Sequence, residues 1–318
     1  MIDQYKEKVI QGGSLEKEEL MALAEAPLEN LCAAADDIRR TFCGSAFDLC
    51  AVISAKGGPC SEDCKFCAQS GTNPSSASVP RFSLLPAEKL IADAVQKEKK
   101  GVMAYGVVTS GRALPSKEVE LLCQSIRKLE ENTNLRLCAS LGLLHREDLE
   151  NLARAGLHMI HNNLESSEKF FQTVCTTHTY EEKKEMIRQA KAAGLMVCSG
   201  ALAGIGETME DRIELALQER ALGVESIPVN MLDPVPGTPF EAISPLQAEE
   251  VRKTVAVFRF AMPHAWIRLA AGREYLQDKG RSCFLSGANA AISGDFLTTM
   301  GISVQTDLDM LREIGYEL

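Results

Sequence analysis

The chain has 318 residues, longer than an ordinary single domain of about 100 to 200 and suited to an α/β barrel, which typically takes about 250. Apolar residues make up 45% and charged residues 25%, which excludes wholesale disorder; 34 basic against 44 acidic residues give a net charge of −10, which argues against nucleic acid or anionic lipid as a partner. The opening Met1-Ile-Asp-Gln-Tyr-Lys has no apolar signal region, and no run approaches the roughly 18 apolar residues of a membrane helix, so a cytoplasmic protein with a small-molecule substrate is expected.

Residues 1–45 read as a helical leader packed outside a domain spanning 46–318. A first strand is expected at Cys50 to Ser54, followed by the glycine-rich turn Lys56-Gly-Gly-Pro-Cys60-Ser-Glu-Asp-Cys64-Lys-Phe66-Cys67. The stretch 71–80 is a loop by composition and a candidate lid. Pro86 opens a helix, and Val102 to Val108 makes the next strand. Val119, Leu122, Ile126 and Leu129 keep one helical face before an apolar strand at Leu135 to Leu141.

The junction from helix to strand then recurs: Gly156 before His158-Met-Ile, Gly194 before Met196-Val-Cys, and Gly223 before Glu225-Ser-Ile, each glycine stopping a helix. Trp266 to Ala270 follows the helix that carries Val251, Val255 and Phe258, and Ala290 to Ser293 is the last strand. Eight β/α units predict a closed (β/α)8 barrel of the TIM type. The competing doubly wound sheet usually has fewer strands and a glycine-rich phosphate loop after the first, which is missing here.

The eleven cysteines are odd in number, and a reducing compartment keeps thiols free, so soft metals or catalysis compete with burial as small hydrophobes. Cys60, Cys64 and Cys67 lie within one short turn, one thiolate short of the usual set for an iron–sulfur cube or a structural zinc, so a cube held there would keep one iron open. The zinc alternative needs a fourth thiol such as Cys50, and a zinc or electron-transfer module stays open as the non-enzyme reading.

Spaced Cys-x3-Cys-x2-Cys with the aromatic Phe66 before the last cysteine, this turn resembles the signature of the radical S-adenosylmethionine enzymes. From about residue 47 onward the chain is similar to the biotin synthase family. The matching segments, in that family's order, are 61–70, Asn162-Asn-Leu-Glu-Ser-Ser, Val197-Cys-Ser-Gly with Gly204-Ile-Gly-Glu-Thr, Ile227-Pro-Val-Asn-Met with Gly237-Thr-Pro, and Ile267-Arg-Leu-Ala-Ala-Gly-Arg-Glu. The resemblance implies a [4Fe–4S] cluster on Cys60, Cys64 and Cys67, S-adenosylmethionine as cofactor, dethiobiotin as substrate, and an auxiliary iron–sulfur cluster as sulfur donor. It implies a low-potential electron donor such as flavodoxin or ferredoxin, and is compatible with a homodimer. A hydrogenase-maturation type of enzyme on the same barrel is the alternative.

The resemblance also assigns site residues. Cys138 and Cys198 match auxiliary-cluster ligands, and Arg268 matches an arginine ligand. Asn163 and Glu165 match ribose contacts, His161 and Asn230 contacts to the ureido ring, Asn163 standing at both, while Leu202 and Gly204 match the adenine cup. Gly106 stands where the family carries a further auxiliary cysteine, which leaves that ligand set incomplete. Cys50, on the same strand face as Val52 and Ser54, is the candidate to complete it, making the cluster [2Fe–2S] or a different, sulfur-rich type with Arg268 as ligand or neighbour. Cys283 is the reserve choice. Cys32, Cys43, Cys123 and Cys175 read as packing residues, and His145, His158, His178 and His264 as structural.

Overall fold

A computed structural model describes residues 1–294 and 301–318. One sheet contains β1 (Asp48–Lys56), β2 (Ala104–Thr109), β3 (Arg136–Ser140), β4 (Met159–His161), β5 (Met196–Cys198), β6 (Ala201–Ala203), β7 (Ser226–Met231), β8 (Trp266–Leu269) and β9 (Ala290–Ile292). Every pairing is parallel, and the contact of Cys198 with Ser226 joins β5 to β7, so the sheet closes on itself. β6 pairs with the same β7 farther along, Ala201 beside Val229.

β5 and β6 are therefore two halves of one barrel position, and the barrel has the expected eight positions. The fifth is broken at Ser199-Gly200, which the sequence reading did not anticipate. The break depends on glycine: a Cβ at Gly200 would lie 2.2 Å from the carbonyl oxygen of Pro228.

The helices α4 (Ala87–Lys99), α5 (Ser116–Asn132), α6 (Arg146–Arg154), α8 (Tyr180–Ala192), α9 (Met209–Ala221) and α10 (Ala248–Ala261) alternate with the strands, and a short α7 (Glu168–Phe171) follows β4. Local chemistry sets their ends. Thr179 with Glu182 and Thr208 with Asp211 form reciprocal caps at the starts of α8 and α9. Gly156, expected to stop a helix, adopts φ +104° just after α6.

Alternation along the strands divides the interior in two. Leu49, Tyr105, Leu137, Ile160, Val197, Ile227 and Ile267 point outward into a large core shared with the helices. Cys50, Ala104, Cys138, Met159 and Cys198 form a separate cluster inside the barrel. The leader helices α1 (Ile2–Ile10), α2 (Lys17–Ala24) and α3 (Leu28–Cys43) send Leu20, Leu23, Leu31 and Ile38, all fully buried, into the outer core, where α3 packs on α10 and α2 on α9. Among the described residues no helix is long and apolar enough to cross a membrane.

Candidate active site

The turn bearing Cys60, Cys64 and Cys67 leaves the carboxyl end of β1, the end where barrels of this kind gather their chemistry. Its base is clasped by backbone bonds: the Cys60 N–H donates to the Gln69 carbonyl (2.6 Å) and the Gly71 N–H to the Cys60 carbonyl (2.8 Å). A Cβ at Gly71 would come within 2.8 Å of that same carbonyl oxygen, so glycine is required for the clasp. Asn73 donates its amide to the carbonyls of Cys64 (3.2 Å) and Cys67 (3.0 Å), tying both ligand-bearing residues to one point.

All eleven cysteines are free thiols. Burial raises the Cys60 and Cys67 thiols, and backbone N–H groups of Glu62 and Gly111 at Cys60, and of Gln69 and Ser70 at Cys67, act against it. Three soft donors on one loop, two of them with amide dipoles aimed at sulfur, fit a thiolate-held iron–sulfur cluster.

Acidic residues between these cysteines fasten a distant segment. Asp63 accepts from the backbone N–H groups of Thr176 (2.8 Å) and Thr177 (3.1 Å) and from the Thr176 hydroxyl. Its carboxyl lies well below the usual range: burial acts to raise it, and these bonds outweigh burial. Glu62 takes Thr177 Oγ1 (2.8 Å), Arg112 Nη1 (3.0 Å) and His178 Nδ1 (2.6 Å).

This network carries Cys175 to the motif. Its sulfur sits 3.0 Å from Asp63 Oδ1 and 3.3 Å from His178 Nδ1, and the ligand atoms of Cys64, Cys175 and His178 all lie within 4.8 Å of one another. The Cys64 thiol, followed by His178 and Thr177, holds Cys175 down to about 4 against its burial. Cys175 is buried, as a packing residue would be, but its surroundings are polar, and His178 is part of the same cluster. The Cys175-x2-His178 spacing was the signal in the sequence.

Below the loop lies a cavity of about 330 Å³ inside the barrel. Its lining brings together Cys50, Cys138, Cys198 and Arg268 with Phe66, Cys67, His161, Asn163, Glu165, Leu202 and Asn230. Gly204 is not among the lining residues. Its N–H is taken by the Glu207 carboxylate (2.9 Å), and a Cβ there would meet Leu246; Leu202, which packs in one cluster with Phe66, faces the cavity.

The floor is formed by three thiols. The Cys198 sulfur bonds Ser226 Oγ at 3.3 Å, and Arg268 Nε donates to the same hydroxyl at 3.4 Å. The Arg268 guanidinium is paired with buried Asp48, whose carboxyl burial would raise but Arg268 and Arg136 hold low. Three buried free thiols facing one cavity are a donor set that fits a second iron–sulfur cluster. Gly106 lies between Val52 and Cys138 in register, and a Cβ there would meet Val52 Cγ1 at 3.0 Å. Val52 therefore fills the space that a larger residue at 106 would need.

The polar middle of the cavity is held from behind. Asn163 accepts from the Gly200 N–H (3.1 Å) and donates to Glu165 (3.3 Å), and Asn230 donates to the Ala201 carbonyl (3.1 Å) while accepting from the Ala271 N–H (3.3 Å). Glu165 adopts φ +70°, a strained conformation for a side-chain-bearing residue, and burial raises its carboxyl. Burial lowers His161 to about 4, so its ring is neutral near pH 7, with one donor and one acceptor nitrogen.

Residues 57–218 match the Radical SAM superfamily, and residues 228–317 the Biotin and Thiamin Synthesis associated domain. The chain is 51% identical over 317 residues to the biotin synthase of Brachyspira hyodysenteriae, covering 100% of this chain and 95% of that protein. It is 50% identical over 311 residues to the biotin synthase of Akkermansia muciniphila, covering 98% and 96%. In fold it is similar to methylornithine synthase (TM-score 0.84, 20% identity, 98% and 96% of the two chains covered) and to the FeFe-hydrogenase maturase of Carboxydothermus hydrogenoformans (TM-score 0.82, 16% identity, 99% and 78% covered). Matched along its whole length at about half identity, the chain belongs to the biotin synthase family of the radical S-adenosylmethionine superfamily.

Proposed function

We propose that the chain converts dethiobiotin to biotin, binding S-adenosylmethionine and substrate in the barrel cavity between two iron–sulfur centres. The observation that carries this reading is the single cavity lined at its mouth by Cys67, at its middle by His161, Asn163, Glu165 and Asn230, and at its floor by Cys50, Cys138 and Cys198. When bound, a [4Fe–4S] cluster on Cys60, Cys64 and Cys67 with S-adenosylmethionine supplies a carbon-centred radical by one-electron reduction, and an auxiliary cluster on the floor supplies sulfur.

The chain's own residues position and enclose. Asn163 and Glu165 accept from the ribose hydroxyls, while Phe66 and Leu202 provide an apolar face for adenine and keep water out. His161 and Asn230 bond the ureido ring: a urea presents both donors and acceptors, and the Asn230 amide keeps one N–H and one lone pair after its two backbone bonds. Holding the substrate at a fixed distance from the floor gives its radical a sulfur to capture before it is quenched.

Cys50, Cys138 and Cys198 carry the auxiliary cluster in this reading, and Arg268, engaged by Asp48, acts as its neighbour. Electrons come from a low-potential carrier of the flavodoxin or ferredoxin class. The test is anaerobic reconstitution followed by assay of biotin and 5′-deoxyadenosine from dethiobiotin; release of the nucleoside without biotin would overturn the substrate. Iron and sulfide counting with Mössbauer spectroscopy on the wild type and Cys50→Ser checks the floor, where a full second cluster in the variant would remove Cys50 from the ligand set.

A further inference from the structure

Cys175 and His178, which form a tight group with Cys64, have no part in the reaction as described. Cys175 is buried with 2% of its surface exposed, 111 residues along the chain from Cys64, and is delivered there by the Asp63 bonds to Thr176 and Thr177. A buried cysteine kept only for packing is expected among apolar neighbours. This one faces a carboxylate, an imidazole, a hydroxyl and a second thiol.

The spacing of Cys64, Cys175 and His178 is close to that around one ion. A tetrahedral zinc-type site, with metal–sulfur bonds of about 2.3 Å and metal–nitrogen bonds of about 2.0–2.1 Å, has donor-to-donor edges of about 3.3–3.8 Å. The Cys175 sulfur is 3.3 Å from His178 Nδ1, and the Cys64 sulfur lies within 4.8 Å of both. Two thiolates and one imidazole give three donors, and a solvent molecule completes the tetrahedron. We propose that in the cluster-free chain Cys64, Cys175 and His178 hold one thiophilic divalent cation, zinc(II) or iron(II), with solvent as the fourth ligand, and that this site and the [4Fe–4S] cluster exclude each other because Cys64 serves both.

Binding releases to solvent whatever protons the two sulfurs still carry, with no change of oxidation state. It also frees His178 Nδ1 from Glu62, which keeps Thr177 at 2.8 Å and Arg112 at 3.0 Å and so is not left unpaired in a buried place. The shared-ligand part of the proposal rests on the reading of Cys64 as a cluster ligand; the cation site itself stands on the geometry alone.

The test uses the full chain freed of clusters under reducing, anaerobic conditions and titrated with Co²⁺ as a spectroscopic stand-in for zinc. Cys60→Ala/Cys67→Ala removes the competing motif thiols. This chain is expected to bind about one Co²⁺ more, with tetrahedral d–d bands and thiolate charge transfer, than the same chain carrying Cys175→Ala or His178→Ala. Two separate third substitutions guard against one of them failing to fold. In a second measurement, wild type preloaded with Zn²⁺ is expected to assemble its iron–sulfur absorbance at least about tenfold more slowly than preloaded Cys175→Ala.

Equal Co²⁺ binding with and without Cys175 and His178, or equal rates of assembly after zinc, would overturn the proposal. Failure of the zinc-free wild type to assemble any cluster would instead count against the reading of the cysteine motif, and the cobalt titration would still decide the cation site.

Discussion

Asp48 is the residue on which the floor of the cavity turns. Its side chain is 2% exposed and faces the guanidiniums of Arg268 and Arg136, whose charges more than offset the burial that would otherwise raise its carboxyl. Asp48→Asn leaves Arg268 charged, buried and unpaired, so chemical denaturation should register a loss of roughly 3–5 kcal/mol at pH 7. Because the native pKa lies below the unfolded one, that advantage is full above about pH 4 and disappears as pH falls through the lowered native value; the two unfolding midpoints should converge in acid. Glu219 behaves in the opposite sense. Fully buried on α9, it accepts one bond from Ser199 Oγ (2.7 Å), its second oxygen has no partner among the described residues, and burial raises it to about 8. The folded state keeps its proton while the unfolded chain loses it above about pH 4.5, so wild-type stability should fall on the order of 4 kcal/mol between pH 5 and pH 8 at this site. Glu219→Gln should remove that slope in urea titrations at the two pH values.

Among the elements, β1, β2 and β3 show how neighbouring strands settle one residue's identity. The resemblance led to a cysteine at position 106 and the chain has glycine, which composition alone could not explain. Register supplies the reason, since Val52 on β1 occupies the space a Cβ on β2 would need. Gly106→Cys should therefore cost about 1–3 kcal/mol by overpacking, and adding Val52→Ala should recover most of it; thermal unfolding of the single and double variants measures both. The break between β5 and β6 is a second case. Gly200 lies against the Pro228 carbonyl and donates its N–H to Asn163, so Gly200→Ala should push β5 off β7 and release Asn163. The expected result is a lower unfolding temperature together with weaker S-adenosylmethionine binding, followed by calorimetry; unchanged binding would detach Asn163 from the cofactor.

For the whole molecule, the leader contributes to the same core as the barrel. Leu15, Leu20, Leu23, Leu31 and Ile38 are fully buried, and Arg220 of α9 donates to the Leu15 carbonyl at 2.9 Å. At about 1.5–3 kcal/mol for each buried aliphatic side chain, these five rival the roughly 5–15 kcal/mol that holds a folded domain together. A chain starting at residue 44 should lose cooperative unfolding by circular dichroism. Periodicity made the eight-unit barrel legible, because strands and helices repeat their apolar residues at fixed local intervals. The cysteine triplet was equally legible, because three thiols in one short turn are near each other whatever the rest of the chain does. The thiols of Cys50, Cys138 and Cys198 could be placed inside by strand parity and resemblance, yet their meeting on one floor required closure of the sheet through Cys198 and Ser226. Asp48 and Arg268 lie 220 residues apart, and Asp63 lies 112 from Cys175; no local period encodes such pairs. The order of the eight β/α units and the turn that could hold a metal cluster were readable from the chain alone, because both follow from covalent spacing; the break in the fifth strand was not. Which buried charges and thiols face one another depends on the stagger at which a closed barrel brings remote strands and loops into contact, and so emerged only on folding.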